Sequence, residues 1–374
     1  MSVFGKIIDS VRMTRWEKAQ YKAKNASAHE WLAQNPQPEL TKDEIKEIDE
    51  YWAKYGIKFK DYCWFQWYYG ISGIKSPRFI PNDVYAYIVW PYYDNEGFRH
   101  AWKDKNFFER FLPDVTFPNT ILRRIHGRFY DSAGSFISDN DIEAITKILV
   151  PRKEVIVKDA WDTGEGRGVT KYHIKNENDV KAMLKDWSSD NFLVQEVIKQ
   201  HQFFAQFNES SVNMLRINSW FHDGKVEIVS PVLRMGMPGF ATDVCFIDGV
   251  EIVRAVGITL DGHLRRDIVA LDGKKQPVNE VIENPDEKVP CWDEIIRIIK
   301  ENAVKLPHFD VIGWDFTVTT DEKPVCIEYN IQRPSTVLCQ PNNGPFFEEY
   351  TDNVLDFLRD DKNQEKYIPK WLRR

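Results

Sequence analysis

Apolar residues along the chain follow two rhythms. One repeats every three to four residues and predicts helices with a single apolar stripe. Phe4, Ile7, Ile8 and Val11 open such a stripe in residues 1–35. Ile45, Ile48, Trp52 and Tyr55 form another, behind a capping box made by Thr41 and Glu44 and ahead of a stop at Gly56. Ile142, Ile145 and Leu149 predict a helix over 141–150. Val180, Met183, Leu184 and Trp187 predict one over 176–187, and Ile295, Ile296, Ile299 and Ala303 one over 291–305. Helices are also expected over 102–112 and 346–358. The other rhythm is the short apolar run bounded by turn residues, which predicts strands. Such runs occupy 84–90, 154–158 and 192–198. Two hairpins follow, 212–221 with 226–234 around Asp223-Gly224, and 252–258 with 264–271 around Asp261-Gly262. Antiparallel hairpins with helices set between them predict an α+β chain rather than a doubly wound parallel sheet.

The last hairpin holds the candidate chemistry. Residues 315–319 run in and 324–330 run out, with a polar turn at 320–323. Glu328 and Asn330 share a face because strand side chains alternate. An even-length turn pairs Thr319 with Pro324 and sets Asp315 opposite Glu328. A turn one residue longer or shorter sends Glu328 to the other face. Facing carboxylates repel and call for a cation between them. Two carboxylates and an amide oxygen are hard donors that suit Mg²⁺ when phosphates complete its shell. A solvated acidic hairpin fits the same residues.

Composition narrows the field. The chain has 374 residues, a 43% hydrophobic fraction and 13 Trp, enough for two or three packed units. A net charge of -7 argues against duplex nucleic acid as partner. Five widely spaced cysteines without a metal-ligand spacing read as reduced thiols of a cytoplasmic protein. No signal peptide or membrane span is expected. Arg12, Arg15, Lys18, Lys22 and Lys24 make the first helix basic, which suits the inner face of an anionic membrane. Packing against its own domain is the simpler reading. The aromatic run 62–69 could stack on sugars or bases, but core is again the simpler reading. Four histidines (His100, His126, His201 and His308) show no catalytic pairing, and Ser210 and Ser211 lack a nucleophile elbow.

Between residues 158 and 169 Lys158 precedes glycines at 164, 166 and 168. Glycines at alternate positions let a backbone approach a ligand, and amides beside a lysine suit phosphate oxygens. The run is neither a Walker loop nor a dinucleotide fingerprint, and a flexible hairpin turn fits it equally well. Further on come a buried strand ending in Gln195-Glu196 and a strand carrying Arg216 among apolar neighbours.

The segments VIVKDAWDTGEGRGV, NFLVQEVI, SSVNMLRINSW, PVLRMG and VIGWDFTV with PVCIEYN, in that order, resemble the ATP-grasp superfamily. Within it they are most similar to the sugar-transfer associated branch, linked with cell-surface polysaccharide biosynthesis. The likeness spans roughly residues 100 to 340. It implies two α+β subdomains holding ATP between them, a small lid at 98–190 and a core at 191–374. A helical, aromatic region at 1–97 precedes them, to which no motif assigns a role beyond a cap on the substrate or membrane side. The resemblance also implies that Lys105 and Lys158 contact nucleotide phosphates and that the loop with Gly164, Gly166 and Gly168 closes over them. Gln195, Glu196 and Val197 would hold adenine, and Asp315, Glu328 and Asn330 would bind Mg²⁺. Arg216 and Arg234 are the candidates for stabilising charge on a transferring phosphoryl group. The family's Asn and Gly-Gly pair after PVLRMG are replaced here by residues 242–249, TDVCFIDG, which leaves the acceptor side open.

The activity so implied is ATP- and Mg²⁺-dependent joining of a carboxylate to an amine, with a sugar acid or sugar-linked substrate. Two alternatives use the same residues: a kinase acting on a sugar hydroxyl, and a non-catalytic nucleotide- or glycan-binding protein.

Overall fold

The computed structural model describes residues 3–138, 141–161, 168–240, 242–247 and 250–374. Its N-terminal region is built from α1 (Val3–Gln34), α2 (Lys42–Ala53) and α3 (Cys63–Ser72). The Thr41 hydroxyl accepts from the Glu44 N–H at 3.2 Å, and the Glu44 carboxylate accepts from the Thr41 N–H at 2.7 Å, closing the expected capping box. The aromatic run forms α3 and stops at Gly73, whose φ of 73° most side chains disfavour. Trp52, Trp64, Trp67 and Tyr68 are almost wholly buried, so this run is core.

Two expectations for the stretch between residues 84 and 112 need correction. Residues 84–90 are not a strand. They continue a helix from Asn82–Val84 through a π turn, Tyr85–Val89, to Trp90–Tyr93. A short apolar run buried on every side has no period to separate strand from helix. Here Val84, Tyr85, Ala86, Ile88, Val89 and Trp90 are all buried. The segment 102–112 is not one helix either. Asp104 caps a 3-10 turn at Lys105–Phe107, and Phe108–Phe111 adds one helical turn.

Six strands make a small antiparallel sheet: β1 (Thr120–Ile125), β2 (Arg128–Asp131), β3 (Phe136–Ile137), β4 (Glu154–Asp159), β5 (Val169–His173) and β6 (Phe192–Glu196). They lie in the order β3-β2-β1-β6-β4-β5. Helices α4 (Ile142–Leu149) and α5 (Glu177–Asp186) cover it, and Leu122, Ile145, Val157, Met183 and Val194 share its core.

The larger sheet begins with β7 (Met214–His222) and β8 (Lys225–Met235). A separate ribbon of β9 (Cys245–Ile247) and β10 (Val250–Ile252) follows. The sheet continues with β11 (Arg254–Ile258), β12 (Leu264–Ala270), β13 (Lys275–Pro277), β14 (Val311–Val318) and β15 (Pro324–Asn330). Its order is β13-β12-β11-β8-β7-β14-β15, again antiparallel. One face packs on α6 (Trp292–Ala303) through Ile217, Leu233, Ile295, Ile299, Trp314 and Phe316. The other face packs near Val311, Trp220 and Val232 on the N-terminal helices. The architecture is the α+β one expected from the hairpins. The expected 346–358 helix is broken into Glu348–Tyr350, Thr351–Leu355 and Asp356–Arg359. Glu348 sits at φ 51° and accepts from the Ser230 N–H at 3.2 Å, and a helix cannot run through that backbone. Among the described residues no helix is long and apolar enough to cross a membrane.

Candidate functional site

The site follows from the hairpin of β14 and β15. Its turn is five residues long, because Val318 pairs with Pro324. An odd turn alone would set Asp315 against Ile327 and put Glu328 on the far face. A β-bulge at Ile327 absorbs the extra residue, so Phe316 pairs with Cys326 and Asp315 with Glu328. The expected pairing is thus reached by a different route. The turn is held by the Thr319 N–H donating to Lys323 O at 3.0 Å and by Glu322 at φ 58°.

Asp315, 1% exposed, is flanked on both sides. From β7, Arg216 donates to it twice, Nε to Oδ1 at 2.6 Å and an NH group to Oδ2 at 2.9 Å. From β15, Asn330 Nδ2 donates to Oδ2 at 2.9 Å. Gly313 makes room for this arrangement: a Cβ there would stand 3.0 Å from Pro334 Cβ and 3.4 Å from Arg216 Cδ.

Glu328 meets two lysines. Lys105 Nζ lies 3.3 Å from its Oε2, and the Lys105 N–H donates to Ala160 O at 2.9 Å, tying the 3-10 turn to the end of β4. Burial pushes the Glu328 carboxyl up, but Lys105, Lys158 and Arg216 outweigh it and hold it below its ordinary value. Lys158 projects from β4 of the small sheet. Burial pulls its ammonium down to about 8 and Lys105 adds to the depression, while Glu328 and Asp315 oppose it. Around Asp315 and Glu328, three cations (Lys105, Lys158 and Arg216) therefore face two carboxylates.

These groups line one cavity of about 540 Å³ between the two sheets. Lys105, Lys158, Gln195, Glu196, Val197, Arg216, Arg234, Asp315, Glu328 and Asn330 all border it. Gln195 is buried and its amide donates to Pro118 O and Thr120 Oγ1, both at 3.2 Å. The Glu196 carboxylate pairs with Arg152 at the rim. Arg234 pairs with buried Asp243 at 2.7 Å. Gly168 adopts φ 69° and its carbonyl accepts from the Asp159 N–H at 3.0 Å. Gly164 and Gly166 lie outside the described residues.

Sequence reasoning missed Asp243, Lys171 and Lys199, which also border the cavity. Alternation along β5 could have flagged Lys171, which pairs across from Ile156 and reaches Glu154 at 3.1 Å. Asp243 lies in the stretch that departs from the motif, and nothing local marks it.

The donor set suits a hard divalent cation. Asp315 and Glu328 supply carboxylate oxygens side by side, and Asn330 spends its Nδ2 on Asp315, keeping its Oδ1 as an acceptor.

The model of the sugar-transfer associated ATP-grasp family matches residues 102–355, well over half of the chain. No curated protein matches. Among solved structures the chain is similar to D-alanyl-alanine synthetase A from Vibrio cholerae O1 biovar eltor str. N16961. That likeness has 14% identity and a TM-score of 0.37, covering 69% of this chain and 66% of that one. It is also similar to the D-alanine-D-alanine ligase from Coxiella burnetii, at 15% identity and TM-score 0.37, covering 71% and 58%. A third is the ATP-grasp ligase PsnB complexed with minimal precursor, at 14% identity and TM-score 0.39, covering 71% and 63%. The chain spans less than two thirds of the length of each of these structures. On the family match, this chain belongs to the sugar-transfer associated ATP-grasp family.

Proposed function

We propose that the protein is an ATP- and Mg²⁺-dependent carboxylate–amine ligase acting on a sugar acid or sugar-linked substrate of cell-surface polysaccharide biosynthesis. The observation that carries this reading is the meeting of Lys158 and Lys105 with Asp315, Glu328 and Asn330 across one cleft. A triphosphate is the polyanion such a cleft fits. Lys105 and Lys158 bind its oxygens, and Gln195, Glu196 and Val197 hold the base at the far end. Asp315, Glu328 and Asn330 hold Mg²⁺, which supplies charge neutralisation for phosphoryl transfer.

A carboxylate is too poor an electrophile to acylate an amine in water. Its oxygen attacks the γ-phosphorus, the bond to ADP breaks, and an acyl phosphate results. The amine then attacks the acyl carbon, phosphate leaves and the amine nitrogen loses a proton. Arg216 and Arg234 offset charge on the transferring group. Arg216 also positions Asp315, which it grips at two oxygens. Asp243 orients Arg234 from within the cleft.

The test is ATP turnover with Mg²⁺ in the presence of candidate sugar acids and amines, followed by product analysis. An amide with one ADP and one phosphate released supports the reading. A stable phosphoester with no amide overturns it in favour of a kinase. Nucleotide binding without turnover under every substrate pair overturns it in favour of a binding protein. Glu328→Gln is expected to abolish turnover in the active protein.

A further inference from the structure

The N-terminal region holds a second cluster of metal-ligating side chains, remote in sequence from the cleft. His29 comes from the C-terminal half of α1, Asp61 from the segment before α3, and Cys63 from the first position of α3. One donor atom from each, an imidazole nitrogen, a carboxylate oxygen and a sulfur, lie within 4.8 Å of one another. His29 Nε2 is 2.8 Å from Asp61 Oδ2.

We propose that His29, Asp61 and Cys63 bind one zinc ion, with a water completing a four-coordinate shell. The three donor types are those zinc takes. A thiolate is too soft for Mg²⁺ or Ca²⁺, and a carboxylate with an imidazole is ordinary for Zn²⁺. Zinc bonds of about 2.0–2.3 Å place tetrahedral ligands roughly 3.3–3.8 Å apart. His29 Nε2 and Asp61 Oδ2, 2.8 Å apart, would open to that range, and the His29 side chain, 58% exposed, has room to move. Cys63 is 4% exposed, and Asp61 is already held. Asp61 accepts from the Cys63 N–H at 3.0 Å and from Asn25 Nδ2 at 3.5 Å. Asn25 is itself held by the Trp64 indole N–H at 2.8 Å. Such outer contacts aim the ligands before the ion arrives.

The thiol is buried, and burial, with Asp61 and Asp83 adding to it, pushes its proton loss far up. Zinc must therefore displace that proton: the S–H bond breaks, a Zn–S bond forms and the proton goes to solvent. The consequence for the fold is a clamp. It joins α1 to α3 at the edge of the aromatic core.

The test uses the full chain, stripped of metal and incubated with zinc in the presence of excess Mg²⁺. Unbound metal is then removed and the remainder is quantified. One zinc per chain is expected. Co²⁺ in its place is expected to give a thiolate-to-metal charge-transfer band. His29→Ala, at an exposed position that leaves the fold intact by circular dichroism, is expected to cost more than the roughly 10–100-fold in affinity typical of outer-shell changes. Cys63→Ser is expected to abolish the cobalt band. Glu328→Gln is expected to leave both readouts unchanged. No retained zinc in the parent overturns the proposal, and so does zinc that survives both N-terminal substitutions undiminished. A cobalt complex without a thiolate band does the same, because it leaves His29 and Asp61 as a plain ion pair.

Discussion

Replacing Asp315 by Asn removes one charge from a buried pair and changes almost nothing in shape. Asp315 is 1% exposed and Arg216 is 8% exposed, and two hydrogen bonds of 2.6 and 2.9 Å join them. The pair lies between strands β7 and β14, at residues directly opposite in the ladder. In Asp315→Asn the guanidinium stays buried without its counter-ion. Breaking a buried pair from one side costs about 3–5 kcal/mol. Arg216→Met strands Asp315 instead and costs a similar amount, softened by the Asn330 amide that still donates to it. The double variant removes both charges, and a buried pair replaced on both sides is close to neutral. Its cost is therefore expected to fall short of the sum of the single costs by roughly 3 kcal/mol or more. Urea titration without nucleotide or metal, followed by tryptophan fluorescence, reads all three, since buried Trp314 neighbours Asp315. Turnover is expected to be lost in every variant, so the double variant regains stability without regaining activity. If the two single costs add to within about 0.5 kcal/mol of the double cost, the pair is not coupled and the electrostatic account of the site fails.

Lys158 carries a pH signature. Its folded value of about 8 lies below the ordinary 10.5, so between these values the unfolded chain holds the extra proton and stability rises with pH. The penalty of the buried charge is full below about 8 and gone above 10.5. Lys158→Met is expected to remove this rise in a pH series of urea midpoints. In the parent, ATP affinity is expected to fall as pH climbs through about 8, with proton uptake on binding seen by calorimetry in buffers of different ionisation enthalpy. In Lys158→Met, binding is expected to weaken by about 1.5–3 kcal/mol and to lose that pH dependence; an unchanged profile rules out a phosphate contact. Gly313→Ala brings a methyl group to 3.0 Å from Pro334 Cβ and 3.4 Å from Arg216 Cδ. A loss of about 1–3 kcal/mol is expected, together with reduced turnover as Arg216 shifts, and parent-like values in both assays contradict the close packing. Trp52 is fully buried and its indole N–H donates to Pro77 O at 2.8 Å. Trp52→Ala is expected to cost about 3–5 kcal/mol in denaturant titration, and a loss under about 1 kcal/mol places it outside the core.

Much of the fold is written locally. The Thr41 capping box, the Asp223-Gly224 and Asp261-Gly262 hairpins and the stripes on α4, α5 and α6 are local signals, and each reappears as an element. These depend on caps, turn residues and side-chain period, which act over a few neighbouring residues. Residues 84–90 look like a strand in the sequence because burial on all sides erases that period, and their π turn is settled by the aromatic core around them. The broken C-terminal helix has a distant cause as well, since Ser230 holds Glu348 away from helical backbone.

The sequence by itself named the acidic hairpin, the lysine before the glycines and the arginine strand, because residue type and alternation carry that information. Only the tertiary structure decided that they meet. The bulge at Ile327 sets Glu328 on the face of Asp315 despite an odd turn, a choice made by the pairing of β15 with β14. Lys158 belongs to a different sheet from Asp315, and Lys105 to neither; all three reach one cavity because the two sheets pack face to cleft. Charge pairing among them, Arg216 on Asp315 and Lys105 on Glu328, depends on distances between segments far apart in the chain, which no local pattern encodes.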